Sequence, residues 1–176
     1  ALSCVVAFIL RFVNGGIFMS YEKYMKEAIK EAKKAELKDE VPIGCVIVKD
    51  DKIIARAHNL RESKQQSIAH AEILAIEKAC KKIGSWRLEN CDLYVTLEPC
   101  PMCSGAILQS RISNVIYGAK DFKGGCIESC MKMYEVAGFN HYPKTISGIL
   151  EDECAELLTS FFKKKRLINK QKKASS

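Results

Sequence analysis

The sequence predicts an α/β fold in which helices cover both faces of a β-sheet. Short apolar runs alternate with longer segments of helical periodicity along the chain, which is the pattern of such folds. The chain has 176 residues, about the size of one domain, with 48% hydrophobic and 28% charged residues. This composition excludes a disordered or collagen-like protein, and no internal repeat or long linker divides the chain.

The first part of the chain predicts one helix and two strands. Apolar side chains recur at helical spacing over residues 20–34, and Ser20 is the expected N-cap of this helix. The apolar run 41–48 predicts a buried strand, and a polar turn leads into a second strand over residues 53–57. The polar residues 59–68 are predicted to form a loop.

The remainder alternates between helix and strand. Residues 68–83 have helical periodicity that ends at Gly84, and residues 93–97 read as a short buried strand. Pro99 and Pro101 favour the first turn of a helix, which we expect to run to about Ser110. The other predicted elements are a strand over 115–119, a loop over 121–125, a helix over 127–136, a strand over 145–148 and a helix over 152–166.

The positive charge of the protein is concentrated at its C-terminal end. The chain has 28 basic and 21 acidic residues, a formal net charge of +7. Seven of the basic residues lie within residues 163–176, which contain no acidic residue, whereas residues 19–162 are nearly neutral. We interpret residues 167–176 as a basic tail suited to the phosphates of a nucleic acid.

The cysteines and the N-terminal segment indicate the cellular compartment of the protein. Nine cysteines, several of them inside apolar runs, argue against a disulfide framework, so we expect a reducing, cytoplasmic setting and no membrane partner. Residues 1–18 are apolar around Arg11, lack the charge order of a signal peptide and are too short to span a bilayer. We interpret them as an extension outside a domain of residues 19–166, with a membrane or partner anchor as the alternative.

Two short motifs carry the predicted chemistry. An H-x-E motif at residues 70–72 and a P-C-x-x-C motif at residues 99–103 together form the signature of zinc deaminases. Cys100 and Cys103 would face the same side of a helix, and His70 would add a nitrogen. Three protein ligands leave the fourth position of a tetrahedral Zn²⁺ open to water, as in catalytic zinc sites. Glu72 does not share the helical face of His70 and is predicted to carry protons.

Each fragment of this pattern also has a simpler interpretation. The C-x-x-C pair alone is typical of redox pairs and of half a structural zinc site, which Cys126 and Cys130 would complete. His70 alone would also suit a histidine hydrogen-bonded within the core. The two motifs in combination, thirty residues apart, favour the deaminase site.

Residues 95–106, together with residues 70–72, closely resemble the bacterial tRNA-specific adenosine deaminases. These enzymes convert the wobble adenosine of a tRNA anticodon to inosine, and the resemblance extends from about Met19 to about Arg166. It implies a cytidine-deaminase-like three-layer α/β/α sandwich with a mixed five-stranded sheet. It also implies one Zn²⁺ per subunit and a homodimer that binds the tRNA anticodon stem-loop, with parts of the RNA site completed across the dimer interface.

The resemblance further implies a set of substrate contacts. Asn59 would bond the flipped nucleoside, and Ala71 and Pro99 would line the base pocket. The residues that match positions meeting the anticodon loop are Arg87, Asp121, Lys123, Asn140, Phe162 and Arg166. Two other functions stay open: a zinc deaminase of a free base such as guanine or cytosine, and a zinc-binding module without catalysis. The basic tail favours RNA, because a free base has no row of phosphates to neutralise.

Overall fold

The structure, a computed structural model, describes residues 21–174 and contains a mixed five-stranded sheet. The predicted extension over residues 1–18 and the Ser20 N-cap lie outside these residues. The strands are β1 (Gly44–Lys49), β2 (Lys52–His58), β3 (Cys91–Leu97), β4 (Asn114–Ala119) and β5 (Lys144–Ile146), in the spatial order β2-β1-β3-β4-β5. β1 runs antiparallel to β2 and β3, whereas β3, β4 and β5 are parallel.

Helices cover both faces of this sheet. They are α1 (21–36), α2 (Arg61–Lys64), α3 (Ala71–Ile83), α4 (Pro101–Gln109) and α5 (Glu151–Ala174). α1 and α5 contribute to one hydrophobic core, and α3 and α4 contribute to the other. The predicted three-layer α/β/α sandwich with a mixed five-stranded sheet is therefore confirmed.

The apolar run of β1 reflects burial on both faces of the sheet. Cys45 and Ile47 pack in the core beneath α3 and α4, whereas Val46 and Val48 pack in the core beneath α1 and α5. Successive side chains of a strand point to opposite faces, so a strand covered on both sides is apolar at every position. At its start, a Cβ on Gly44 would lie 2.0 Å from the carbonyl oxygen of Ala28, so glycine permits the close approach of α1.

Two segments differ from the prediction because a distant carboxylate organises them. Residues 61–64, predicted as loop, form the short helix α2, in which Glu40 accepts main-chain N–H groups. The predicted helix over residues 127–136 is wrong, because this segment forms turns and a short 3₁₀ helix at Met133–Glu135. Three of its N–H groups donate to the Glu98 carboxylate instead of starting a helix.

Other boundaries shift by a few residues, and α5 is much longer than predicted. α3 begins at Ala71 rather than at residue 68, because the N–H groups of Ala69 and His70 bond back to Gln66 and Ile68. α5 continues to Ala174 rather than ending at residue 166, since its lysines and glutamine favour helix and no glycine or proline interrupts them. Within residues 21–174, no helix combines the length and apolar character needed to cross a bilayer.

Candidate active site

Three of the predicted ligands meet where two helices begin. His70 is the N-cap residue of α3, and Cys100 is the N-cap residue of α4. Cys103 lies in the first turn of α4 and is fully buried. Within the part of the chain that the structure describes, these three form the one group of His, Cys, Asp or Glu residues arranged to hold a metal ion.

The distances between these atoms fit a tetrahedral ion. The Nδ1 atom of His70 lies 3.7 Å from the Sγ atom of Cys100 and 3.6 Å from that of Cys103. Ideal tetrahedral bonds from Zn²⁺ to a nitrogen and a sulfur would place those two atoms about 3.5 Å apart. Cys126 and Cys130 are outside this group, so the four-thiolate alternative has no support among the described residues.

The local electrostatics favour a thiolate in this cluster. A hydrogen bond from the Cys103 thiol lowers the pKa of Cys100, and His70 lowers it further. Burial acts in the opposite direction but is outweighed, so the pKa of Cys100 falls to about 4. The same hydrogen bond, together with burial, raises the pKa of Cys103. The hydrogen bond to Cys100 also raises the pKa of His70. The positive end of the dipole of α4 further stabilises negative charge there.

Glu72 lies in the first turn of α3, next to this cluster. Its side chain is buried, at 4% exposure. Burial, reinforced by the negative charge of Cys100, raises the pKa of Glu72 to about 7. A carboxyl group with this pKa exchanges protons readily at neutral pH.

A groove of about 670 Å³ leads from the surface to His70. Of the predicted substrate residues, it brings together Asn59, Asp121, Lys123, Phe162 and Arg166. Sequence analysis did not single out its other lining residues, which are Val41, Ile43, Arg61, Glu62, Leu97, Lys120, Leu158 and Thr159. The aromatic and basic side chains along this groove suit an unpaired nucleotide, whose base can stack and whose phosphate is negative.

The other predicted contacts have different environments. Ala71 and Pro99 are buried beside the ligands, and the carbonyl of Pro99 accepts a hydrogen bond from the N–H of Cys126. Arg87 is not among the residues that line the groove, and its guanidinium group stacks 4.8 Å from the ring centre of Trp86. Asn140 is exposed and is likewise not among the lining residues.

Two buried carboxylates beside the groove were missed by sequence analysis. Glu40 accepts N–H groups of Glu62 and Ser63 at 3.1 and 2.6 Å, and the side-chain amide of Asn59 at 3.4 Å. Burial alone would raise the pKa of Glu40, but the bonds from Ser63 and Glu62 outweigh it and lower this pKa. Glu98 is likewise buried and accepts main-chain N–H groups of Asp121, Ile127, Glu128 and Ser129. In the sequence Glu40 follows Lys38 and Asp39, and no local pattern sets it apart from an exposed acid.

Comparisons with known proteins agree with this site. Residues 19–166 match the MafB19-like deaminase family. A relative from Bacillus subtilis (strain 168), named tRNA-specific adenosine deaminase, is 58% identical over 154 residues, which cover 88% of this chain and 94% of the relative.

Two solved structures share the fold. A structure from a study of A-to-I editing by tRNA:A34 deaminases at the wobble position is 46% identical, with a TM-score of 0.75, covering 77% of this chain and 99% of that one. A guanine deaminase from Bacillus subtilis is 39% identical, with a TM-score of 0.56, covering 67% and 69% of the two chains. The chain belongs to the MafB19-like deaminase family and, within it, to the tRNA-specific adenosine deaminases.

Proposed function

We propose that this protein deaminates the wobble adenosine of a tRNA anticodon to inosine by hydrolysis. One observation carries the proposal: His70, a member of the three-ligand cluster beside the buried Glu72, lines the same groove as Phe162 and Arg166. The relatives named tRNA-specific adenosine deaminase support the choice of substrate.

His70, Cys100 and Cys103 would hold one Zn²⁺ per chain. Two sulfurs and one imidazole nitrogen are donors that zinc prefers, and no fourth protein ligand joins them among the described residues. When bound, the ion lowers the pKa of a water molecule to about 7 and supplies hydroxide at neutral pH. A structural zinc site would normally be closed by a fourth side chain, so this donor set supports catalysis over a non-catalytic module.

Glu72 moves the protons of the reaction. It accepts one proton from the attacking water as the C6–O bond forms, and it passes this proton to the ring nitrogen N1. The remaining hydroxyl proton then moves through Glu72 to the amino group as the C6–N bond breaks. The products are inosine and ammonia, and no oxidant or reductant is required.

The groove recognises a nucleotide whose base is no longer stacked on its neighbours in the RNA loop. Asn59, which lines the groove, would bond the nucleoside, and Ala71 and Pro99 would shape the base pocket. Phe162 offers a face for stacking, and Arg166 and Lys123 offer charges for phosphates. Asp121 would accept hydrogen bonds from bases or riboses of the anticodon loop.

Arg87 and Asn140 support a homodimer. Both residues match anticodon-loop contacts, yet neither is among the residues that line the groove of its own chain. A second copy would bring them to the RNA if the two chains pack with these residues beside the partner's groove, which sedimentation of the purified chain tests. We place the protein in the cytoplasm, where its eight cysteines within residues 21–174, none of them in a disulfide there, would stay reduced.

Substrate competition tests the proposal. The purified protein is incubated separately with an anticodon stem-loop carrying a wobble adenosine, with free guanine and with free cytosine, and ammonia release is measured. We expect release from the stem-loop alone, weakening steeply as salt rises because phosphate contacts release counterions. Turnover of guanine or cytosine with an inert stem-loop would instead establish a free-base deaminase.

A further inference from the structure

A buried carboxylate joins the metal-binding helix to a wall of the groove. Glu98 directly follows strand β3 and lies two residues before Cys100. Its side chain is buried, at 2% exposure. Its two oxygens accept hydrogen bonds from five donors of one segment. These are the N–H groups of Asp121 (3.1 Å), Ile127 (3.0 Å), Glu128 (2.8 Å) and Ser129 (3.0 Å), and the hydroxyl of Ser129.

The backbone of this segment is wrapped tightly around the carboxylate. A Cβ on Gly125 would lie 2.4 Å from the Cδ atom of Glu98, so any larger residue there would push the segment away. The N–H of Cys126 also donates to the carbonyl of Pro99 at 2.9 Å. Residues 121–129 are therefore tied to the residues directly before the ligand Cys100.

Glu98 is the main acceptor for the N–H groups of this segment. The bond from Cys126 to Pro99 and the contacts of Glu128 with Tyr117 and Lys120 hold the segment as well. Residues 121–129 contain neither helix nor strand, so no ladder of main-chain bonds fixes their conformation. The segment nevertheless carries Asp121 and Lys123, which line the groove, and the exposed Phe122 between them. The relative position of these side chains and the metal cluster thus depends on the bonds that Glu98 accepts.

We propose that Glu98 is a positioning residue that holds residues 121–129 as a wall of the substrate groove at a set distance from the metal cluster. Its carboxylate touches no substrate and acts through the main chain of this segment. The choice of an RNA loop as the molecule bound against this wall rests on the proposed function. The architecture of the wall does not.

Glu98→Gln tests this role with little change in size. Glutamine replaces one acceptor oxygen of Glu98 by an NH2 group, which would then face the N–H or O–H donors of the segment. The substitution also removes the negative charge. Hydrogen bonds to charged groups are strong enough that losing them should accelerate amide exchange of residues 121–129 by about tenfold or more. We expect the KM for the stem-loop to rise by about tenfold, with kcat changed by less than about threefold and bound zinc unchanged.

Two further variants isolate the effect. Glu128→Gln also removes one negative charge, here from the segment itself. The Glu128 carboxylate contacts Tyr117 and Lys120 rather than the main chain, and glutamine keeps an oxygen that Tyr117 can donate to, so exchange and KM should stay near native. Gly125→Ala leaves the carboxylate intact and displaces the segment by steric clash. It should reproduce the faster exchange and the higher KM.

The exchange measurement decides the proposal without RNA. Native exchange rates over residues 121–129 in both Glu98→Gln and Gly125→Ala would overturn it. If Glu98→Gln unfolds the protein, a Gly125→Ala variant with native exchange and KM would overturn it equally, and one with fast exchange would support it. Failure of the native protein to deaminate the stem-loop would contradict the proposed function and leave the exchange test intact.

Discussion

At the scale of single residues, His70 and Cys100 occupy equivalent positions. Each is an N-cap residue with extended backbone, and neither side chain makes a capping hydrogen bond to its own helix. An N-cap side chain normally satisfies an N–H group of the first turn. Here both side chains turn instead toward one another and toward Cys103, as metal ligands must.

The ligands were predictable from sequence, whereas the buried carboxylates were not. The spacing of Cys100 and Cys103 and the H-x-E motif are local, so the chemistry could be read directly from the chain. Glu40 and Glu98 obtain their roles from donors 22 to 31 residues away in the sequence, apart from the Asn59 amide. No local pattern specifies such partners, because they depend on how the sheet brings the loops together.

Glu40 should contribute stability that depends on pH. We expect Glu40→Gln to lower the free energy of unfolding at pH 7 by about 2 kcal/mol, since it weakens charged hydrogen bonds in a buried site. Because folding lowers the pKa of Glu40, its contribution is complete at neutral pH and is lost as the pH falls through its folded-state pKa. The difference between native and variant should therefore shrink below about pH 4.

Urea unfolding of both proteins at several pH values measures this difference. Glu77→Gln is the matched control, because Glu77 is exposed on α3. A constant difference from pH 7 to pH 3 would show that Glu40 stabilises the fold through its shape and not through its charge.

At the scale of elements, the basic end of the chain is a helix rather than an extended tail. α5 runs through Arg166 to Ala174, and its lysines are not equivalent. Lys164 pairs with Glu36 at 2.7 Å, and Lys165 pairs with Asp39. Arg166 lines the groove together with Phe162, and Lys170 lies one further turn along the same side. The net charge of the sequence could not separate these two groups, because the separation depends on which face packs against α1.

Two double variants that remove equal charge test this distinction. Arg166→Gln with Lys170→Gln should weaken binding of the stem-loop and reduce its salt dependence by about one unit of slope per lost contact. Lys164→Gln with Lys165→Gln should have a smaller effect, because those charges are paired with Glu36 and Asp39. Titrations of labelled stem-loop at several salt concentrations give both slopes, and equal slopes for the two double variants would contradict the assignment.

The helix predicted over residues 127–136 illustrates the limit of local patterns. Its composition permits a helix, but three of its N–H groups donate to Glu98 and the chain turns around that carboxylate. The long elements, apart from the C-terminal end of α5, were placed correctly within a few residues, because their periodicity follows from burial against the sheet. Tertiary hydrogen bonds override local preference most easily where the segment buries little apolar surface.

At the scale of the whole molecule, the groove lies where distant parts of the chain converge. Leu97 ends β3, Lys120 follows β4, and these parallel strands point their carboxyl ends toward the metal cluster. Ligands of open α/β sheets bind outside the carboxyl ends of the strands. α5 then closes one side of this edge with Phe162 and Arg166. The motif after strand β3 predicted the cluster, and the resemblance supplied the contribution of α5.

The central claim is that Glu72 and the three-ligand cluster deaminate a wobble adenosine in RNA. The most direct measurement is inosine at that position of an anticodon stem-loop, after incubation with the native protein or with Glu72→Gln, alongside the zinc content of both. We expect inosine at the wobble position with the native protein, and a rate at least about 10²-fold lower with Glu72→Gln at equal zinc content. Inosine formation by Glu72→Gln at the native rate would contradict the account, as would inosine at other adenosines of the loop in place of the wobble position.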